Sequence, residues 1–300
     1  MAQEENTSLK KTKVHSNEPL VMLIDLDGTL QGNISPQLIE YDLINRINSI
    51  ITSKSSNIKY SLKNLYSDFT SGLLRPFVQE AFLSMKKTHP NIEFFIYTAS
   101  SDEWAHFILD QINKFFFGKK GIINKPYFTR KHLTEYGIKS ISKIRPNIIH
   151  SLRKKYPNAK FNQIYLIDNN FVLSPSEMNK LIYCPTYDYK VVINPLRLLT
   201  EDVKNKYYNS ISEYLLKESS KNSMELYKKF YKNAFKDLEV AEKNNKIYLN
   251  DNYWQSFALI VNKNKLNSPK NIHKMIIQLQ ELYMTKNFYN ILNGYVKKYI

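Results

Sequence analysis

PLVMLIDLDGT (19–29) reads as a strand that runs straight into a charged turn. An apolar run of this length, closed off by a glycine, suits a strand buried on both faces of a parallel sheet. Gly28 permits the chain to turn sharply where the run ends. Ligands in open α/β sheets bind beyond the carboxyl ends of the strands. Asp25 stands at that end, and Asp27 follows two residues later, a spacing that sends both side chains to the same side of an extended chain. Two carboxylates so placed can divide labour. Asp25 can attack phosphorus. Asp27 can protonate a leaving alkoxide and later take a proton from water. A strand that merely ends in a turn accounts for one of these aspartates, not for both followed by Gly-Thr.

The pattern recurs outward from this point. IEFFIYT (92–98) and NQIYLID (162–168) read as further buried strands, and YKVVI (189–193) as a fourth. Ser35-Pro36 opens a helix that carries Ile39, Leu43, Ile47 and Ile50 on one face. A second helix follows Pro76, with Phe77, Ala81, Phe82 and Met85 together. Ser100 and Glu103 form a capping-box pattern ahead of a third, marked by Trp104, Ile108, Ile112 and Phe115. Residues 52–70 read as a polar connector, 117–145 as an irregular or β-rich insert, and PNIIHSLRKKY (146–156) as another helix. Strands alternating with helices predict an α/β fold with a mostly parallel sheet. After Pro195 the texture becomes amphipathic and helical. Val203, Tyr207, Ile211, Tyr214 and Leu215 make one apolar face; Ile272, Ile276, Leu279, Leu282 and Tyr283 make another. The predicted organisation is a polar tail over 1–18, an α/β domain over 19–200 and a helical region over 201–300.

The run Asp25-Leu26-Asp27-Gly28-Thr29 resembles the first motif of the haloacid-dehalogenase (HAD) superfamily. The resemblance implies a Rossmann-like HAD fold, Asp25 as a nucleophile that forms an aspartyl phosphate, Asp27 as general acid and base, and Mg²⁺ as cofactor. It also implies a Thr or Ser at the end of a second strand to bind phosphate. Thr98 in FFIYTAS, with Ala99 beside it, takes that place. The helix that begins near Ser101 would then aim its N-terminus at the anion. Asp168-Asn169 takes the place of the acidic or amide oxygens expected after a third strand. Asp25, the backbone carbonyl of Asp27, and Asp168 or Asn169 are the metal ligands implied, a hard-oxygen set suited to Mg²⁺. Lys139 in EYGIKSISK is the expected phosphate-binding lysine, with Lys143 as the alternative.

LRPFVQEAFLSMKKTHPNIEFFIYTASSDEWAHFILDQI (74–112) is similar to the RNA polymerase C-terminal-domain phosphatases, the NLI-interacting-factor-like family. Arg75-Pro76, Tyr97-Thr98-Ala99-Ser100 and Trp104 hold the positions of that family's motifs. Tyr136 to Lys139, Asp168-Asn169 and Arg130 match further segments. Two positions depart from the pattern: Gly28 stands where the family usually has Glu, and Phe77 where it has Gly. The resemblance implies a phosphoserine or phosphothreonine peptide as substrate, the phosphorylated tail of RNA polymerase II or one like it. Residues 31–70 are too few for a full cap over the site, which suits an extended peptide.

Composition sets the outer bounds. The net charge of +16 favours acidic partners of any kind, nucleic acid included. This keeps a nucleic-acid 3′-end phosphatase as a second reading. A transcription-associated scaffold with weak phosphatase activity is a third. Only six of the 43 basic residues are Arg, the better residue for bidentate recognition of phosphates and bases. The lone cysteine, Cys184, excludes an internal disulfide. The first 19 residues lack the apolar stretch of a signal peptide, and no apolar run approaches the roughly 20 residues of a membrane span. These features point to the cytoplasm or nucleus. The Lys/Asn/Ile/Tyr bias fits an AT-rich genome, a large DNA virus acting in its host cell among the options.

Overall fold

The computed structural model describes residues 18–35, 62–192 and 243–281. The tail before residue 18, the helix expected after Ser35-Pro36 and the apolar face from Val203 to Leu215 lie outside these residues.

A four-stranded parallel sheet forms the centre, in the order β3 (Ile92–Ile96), β1 (Leu20–Ile24), β4 (Gln163–Asp168), β5 (Leu181–Tyr183). Every residue of β1 and β3 is buried. The two-residue period of a strand divides them between two cores. Leu20, Met22 and Ile24 face one side; Val21 and Leu23 face the other. On the first side lie α2 (Val78–Thr88) and α3 (Asp102–Phe116), which follow a short α1 (Leu62–Asp68). On the second side lies α4 (Ile141–Leu152), through Ile141, Ile144, Ile148 and Leu152. The sheet is thus covered on both faces, as an all-parallel sheet requires.

Helices α5 (Tyr253–Lys263) and α6 (Pro269–Glu281) join the first core rather than forming one of their own. Trp254, Phe257, Val261, Met275 and Leu279 pack in the same cluster as β1 and β3. The Trp254 ring meets Phe82 of α2 edge-on at 5.0 Å. Burial of each such side chain stabilises the fold by about 1.5–3 kcal/mol. Among the described residues no helix is long and apolar enough to cross a membrane.

The polar connector expected over 52–70 holds α1 in its described part, with Leu65 and Phe69 buried in the core, and three further expectations need correction. The segment expected as a fourth central strand forms β6 (Lys190–Val192), but β6 pairs with β2 (Asn33–Ser35) in a separate two-stranded sheet. The fourth central strand is β5, whose three residues are too short to show a periodicity and are defined only by pairing with β4. Secondly, α4 starts at Ile141, a turn and more before Pro146. Glu177, from a distant 3₁₀ turn (Pro175–Lys180), accepts the Ile141 and Ser142 N–H groups at 2.8 Å each and so supports that early turn from outside. Thirdly, Ser101 rather than Ser100 caps α3, accepting from the Trp104 N–H. The Ser100 hydroxyl is engaged elsewhere, on Asp27.

Candidate active site

The carboxyl ends of three adjacent strands supply the site. Asp25 directly follows β1, Thr98 lies two residues beyond β3, and Asp168 is the last residue of β4. Parallel pairing puts these ends level, because Ile24 is in register with both Ile96 and Ile167. Asp25, Asp27, Thr98, Ala99, Lys139 and Asp168 line one cavity of about 380 Å³. Ser100, Ser101 and Trp104, from the start of α3, complete one wall, and Arg130, Leu133, Gly137, Asn170 and Val172 the rest.

Lys139 is the pivot. Its ammonium, 2% exposed, donates to Asp25 Oδ1 and to Asp168 Oδ2 at 2.6 Å each. Burial works against its charge, but the two carboxylates outweigh that and raise its pKa. The backbone fixes the lysine from both sides. Its N–H donates to Val172 O at 2.7 Å, and its carbonyl accepts from Ser174 N–H at 2.9 Å. Next to it, the Ser140 N–H donates to the Tyr97 hydroxyl at 3.0 Å. Lys143, the alternative, is solvent-facing and donates to the carbonyl of Leu133 instead.

One lysine does not balance the local acid. Burial pushes the Asp25 carboxyl up to about 7; Lys139 lowers it, and the neighbouring Asp168 and Asp27 raise it further. Burial likewise raises Asp27, against the pull of its hydrogen-bond donors Ser100 and Gln31 and of Lys139. The Ser100 hydroxyl donates to Asp27 Oδ2, and Gln31 Nε2 donates to Oδ1 at 3.1 Å. Both oxygens of Asp27 are therefore fixed.

The turn around these aspartates is tied to the β4 end. Gly28 sits at φ 81°, a left-handed conformation. A Cβ there would lie 2.9 Å from Asn169 Nδ2. Asn169 accepts from the Thr29 hydroxyl at 3.2 Å and donates to Thr186 Oγ1 at 3.2 Å, so its side chain joins the turn to the β4 end. Asn170, its neighbour, lines the cavity. Thr98 Oγ1 accepts from the Ser100 N–H at 3.1 Å, leaving its own hydroxyl proton available to an anion. The Ala99 carbonyl accepts from Arg130 Nε at 2.9 Å, which holds that guanidinium at the cavity wall.

Among the described residues no three His, Cys, Asp or Glu side chains converge as a ready-made metal cage. A set of hard oxygens is present nonetheless, in Asp25, Asp168, the main chain at Asp27 and the neighbouring amides. That donor chemistry, with Asp25 short of positive charge, fits a divalent cation such as Mg²⁺.

Behind the turn lies a second buried cation. Arg75 forks onto Asp251, with Nε to Oδ1 at 2.9 Å and Nη2 to Oδ2 at 2.7 Å. Its Nη1 donates to Pro185 O at 2.9 Å and approaches Thr29 O at 3.4 Å. Trp254 Nε1 also donates to Thr29 O, at 3.3 Å. The segment before α5 therefore buttresses the aspartate turn from behind.

Five contacting residues were not marked by the sequence reading: Gln31, Ser100 as an Asp27 partner, Glu177, Asp251 and Trp254. Gln31 had one legible signal, a polar residue next to Leu30 in a turn that is otherwise apolar or accounted for. Glu177 had none, because its partners lie some 35 positions away.

The sequence model of the NLI interacting factor-like phosphatases matches residues 20–201. Among solved structures, the chain is similar to that of Fcp1, an essential RNA polymerase II CTD phosphatase, at 16% identity and a TM-score of 0.33. That match covers 87% of this chain and 70% of the other. No curated protein matches.

Proposed function

The chain belongs to the NLI interacting factor-like phosphatase family, and from that premise we propose that it is a Mg²⁺-dependent phosphoserine or phosphothreonine phosphatase of peptides, working through an aspartyl phosphate on Asp25. The observation that carries this reading is the convergence of Asp25, Asp27, Thr98, Lys139 and Asp168 on one cavity.

The chain's own residues account for two displacements. In the first, an Asp25 oxygen bonds to phosphorus and the bond from phosphorus to the substrate oxygen breaks. Asp27, protonated, gives its proton to that leaving oxygen. In the second, water attacks the same phosphorus, Asp27 takes the water's proton, and the bond to Asp25 breaks to release phosphate. Thr98 donates its hydroxyl to a phosphoryl oxygen. Lys139 supplies fixed positive charge beside Asp25 and need not reorganise as negative charge builds up. Asp25, Asp168, the main-chain carbonyl of Asp27 and Asn169 or Asn170 would hold the Mg²⁺. When bound, that ion neutralises phosphoryl oxygens and offsets the surplus of carboxylates.

The peptide reading is supported by family membership and by a wall that mixes Trp104, Leu133 and Val172 with the Arg130 guanidinium. The RNA polymerase tail is one such peptide. The net charge of +16 favours the second reading, a nucleic-acid 3′-phosphatase.

Purified protein is expected to hydrolyse an aryl phosphate and lose that activity with excess EDTA. Asp25→Asn is expected to remove at least ~10³-fold of it, as loss of a covalent nucleophile does. Phosphoheptad peptides should be preferred over 3′-phosphorylated oligonucleotides. Retained activity in EDTA would end the metal reading, and preference for the oligonucleotide would end the peptide reading.

A further inference from the structure

We propose that Gln31 is a positioning residue for Asp27, holding its carboxyl in the orientation that delivers a proton to the leaving group. This rests on the phosphatase reading above and adds to it a residue outside the cavity.

The local chain brings the two together. The Gly28 N–H donates to Gln31 O at 2.7 Å, and the Gln31 N–H donates to Leu26 O at 3.0 Å, so residues 26–31 close into a tight loop. The flanking residues are anchored as well. Gly32 N–H donates to Leu73 O at 2.8 Å, and Arg75 N–H donates to Leu30 O at 3.1 Å. Gln31 is completely buried, with Leu26 and Leu30 among its buried neighbours in sequence. From there Nε2 reaches Asp27 Oδ1 at 3.1 Å, while Ser100 holds Oδ2. One oxygen of Asp27 is thus fixed by the wall of the cavity and the other by a residue behind it.

The burial of Gln31 is otherwise hard to account for. Its Oε1 has no hydrogen-bond partner among the described residues. Burying an amide oxygen unpaired is unfavourable, and an apolar residue of similar size would avoid the cost. Among the described residues, the contact to Asp27 is the one side-chain hydrogen bond of Gln31, and an apolar side chain there could not supply it. A residue kept only for packing could be replaced with a gain in stability and no loss of activity; a positioning residue loses activity on replacement even where stability is gained.

The leaving group separates these roles. An aryl oxide departs with little help, whereas a serine alkoxide needs a proton in the transition state. Misorienting Asp27 should therefore slow the first displacement, which kcat/KM reports, on alkyl phosphates and spare it on aryl ones, whereas the second displacement, in which Asp27 takes the water's proton, is common to both. The experiment compares p-nitrophenyl phosphate with a phosphoserine peptide on the full chain. Gln31→Leu removes both hydrogen-bonding groups, and Gln31→Met keeps the length of the side chain. The expected result is a kcat/KM on the phosphoserine peptide lowered at least ~10-fold, an aryl kcat/KM within about twofold, and a melting temperature equal to the parent's or higher. Equal loss of kcat/KM on both substrates in the variant that folds, or no loss on either, would overturn the assignment. Failure of the unaltered chain to hydrolyse either substrate would overturn the underlying phosphatase reading, an outcome distinct from equal loss in the variants.

Discussion

The central sheet carries a buried carboxylate cluster at each end, and the two are balanced in opposite senses. At the amino end Glu93, the second residue of β3, accepts from Lys155 Nζ at 2.5 Å, the Tyr156 hydroxyl at 2.7 Å and Asn124 Nδ2 at 2.9 Å, with Lys86 Nζ at 3.1 Å. Burial disfavours its charge, but these partners outweigh burial and hold its pKa below the usual carboxylate range. At the carboxyl end Asp25 and Asp168 share one ammonium, that of Lys139, with Asp27 nearby, and Asp25 is pushed up to about 7. One sheet thus holds a carboxylate that is over-supplied with donors and another that is short of them. The first arrangement is closed, and suited to joining α2, β3 and the turn after α4. The second opens on a cavity and retains capacity for a cation. Burial alone does not separate a structural ion cluster from a reactive one; the charge balance around the buried group does.

The comparison is broken most strongly at Lys139. Lys139→Met leaves two carboxylates facing each other without their cation. Aryl phosphatase kcat/KM is expected to fall at least ~100-fold. Stability should fall by about 3–5 kcal/mol, the cost of breaking a buried pair. Steady-state kinetics and urea titration on the same preparation check both.

A smaller effect is expected at the ion pair behind the turn. Asp251→Ala strands the Arg75 guanidinium, which is buried beneath the rings of Tyr187 and Tyr253. Because Asp251 is partly exposed, the stability loss should lie near the lower end for buried pairs, about 3 kcal/mol. The kcat of the folded protein should stay within about threefold. A collapse of kcat without loss of stability would move this pair from support into catalysis.

The smallest effect belongs to Glu93. Glu93→Gln should cost about 1.5–3 kcal/mol at neutral pH, the range for hydrogen bonds to a charged group. Its folded pKa is depressed, so its stabilisation is fully present above the unfolded value of about 4.3 and is lost as pH falls through the folded value. The stability gap between parent and variant should therefore narrow below about pH 4. Chemical denaturation at pH 7 and at pH 3.5 tests the sign.

Much of this arrangement was legible in the residues themselves. β1, β3 and β4 announced themselves as mainly apolar runs, because a strand buried on both faces shows few polar positions, Glu93 being the one inside β3. The Asp25-Leu26-Asp27-Gly28-Thr29 turn could be read as well, since its chemistry is packed into five consecutive positions. What is local in the chain, or repeats with the period of a strand or helix, was fixed by the sequence alone. β5 was not visible, being three residues defined by their neighbour. The true start of α4 was hidden, because the group that holds its first turn is Glu177. Lys139 could not be singled out from Lys143 by composition; the fold buries one between two aspartates and leaves the other at the surface. The grip of Arg75 on Asp251, 176 positions away, was likewise decided only in three dimensions. A hydrogen bond depends on distance and direction between groups, and chain order specifies these only where the groups lie within a turn of each other.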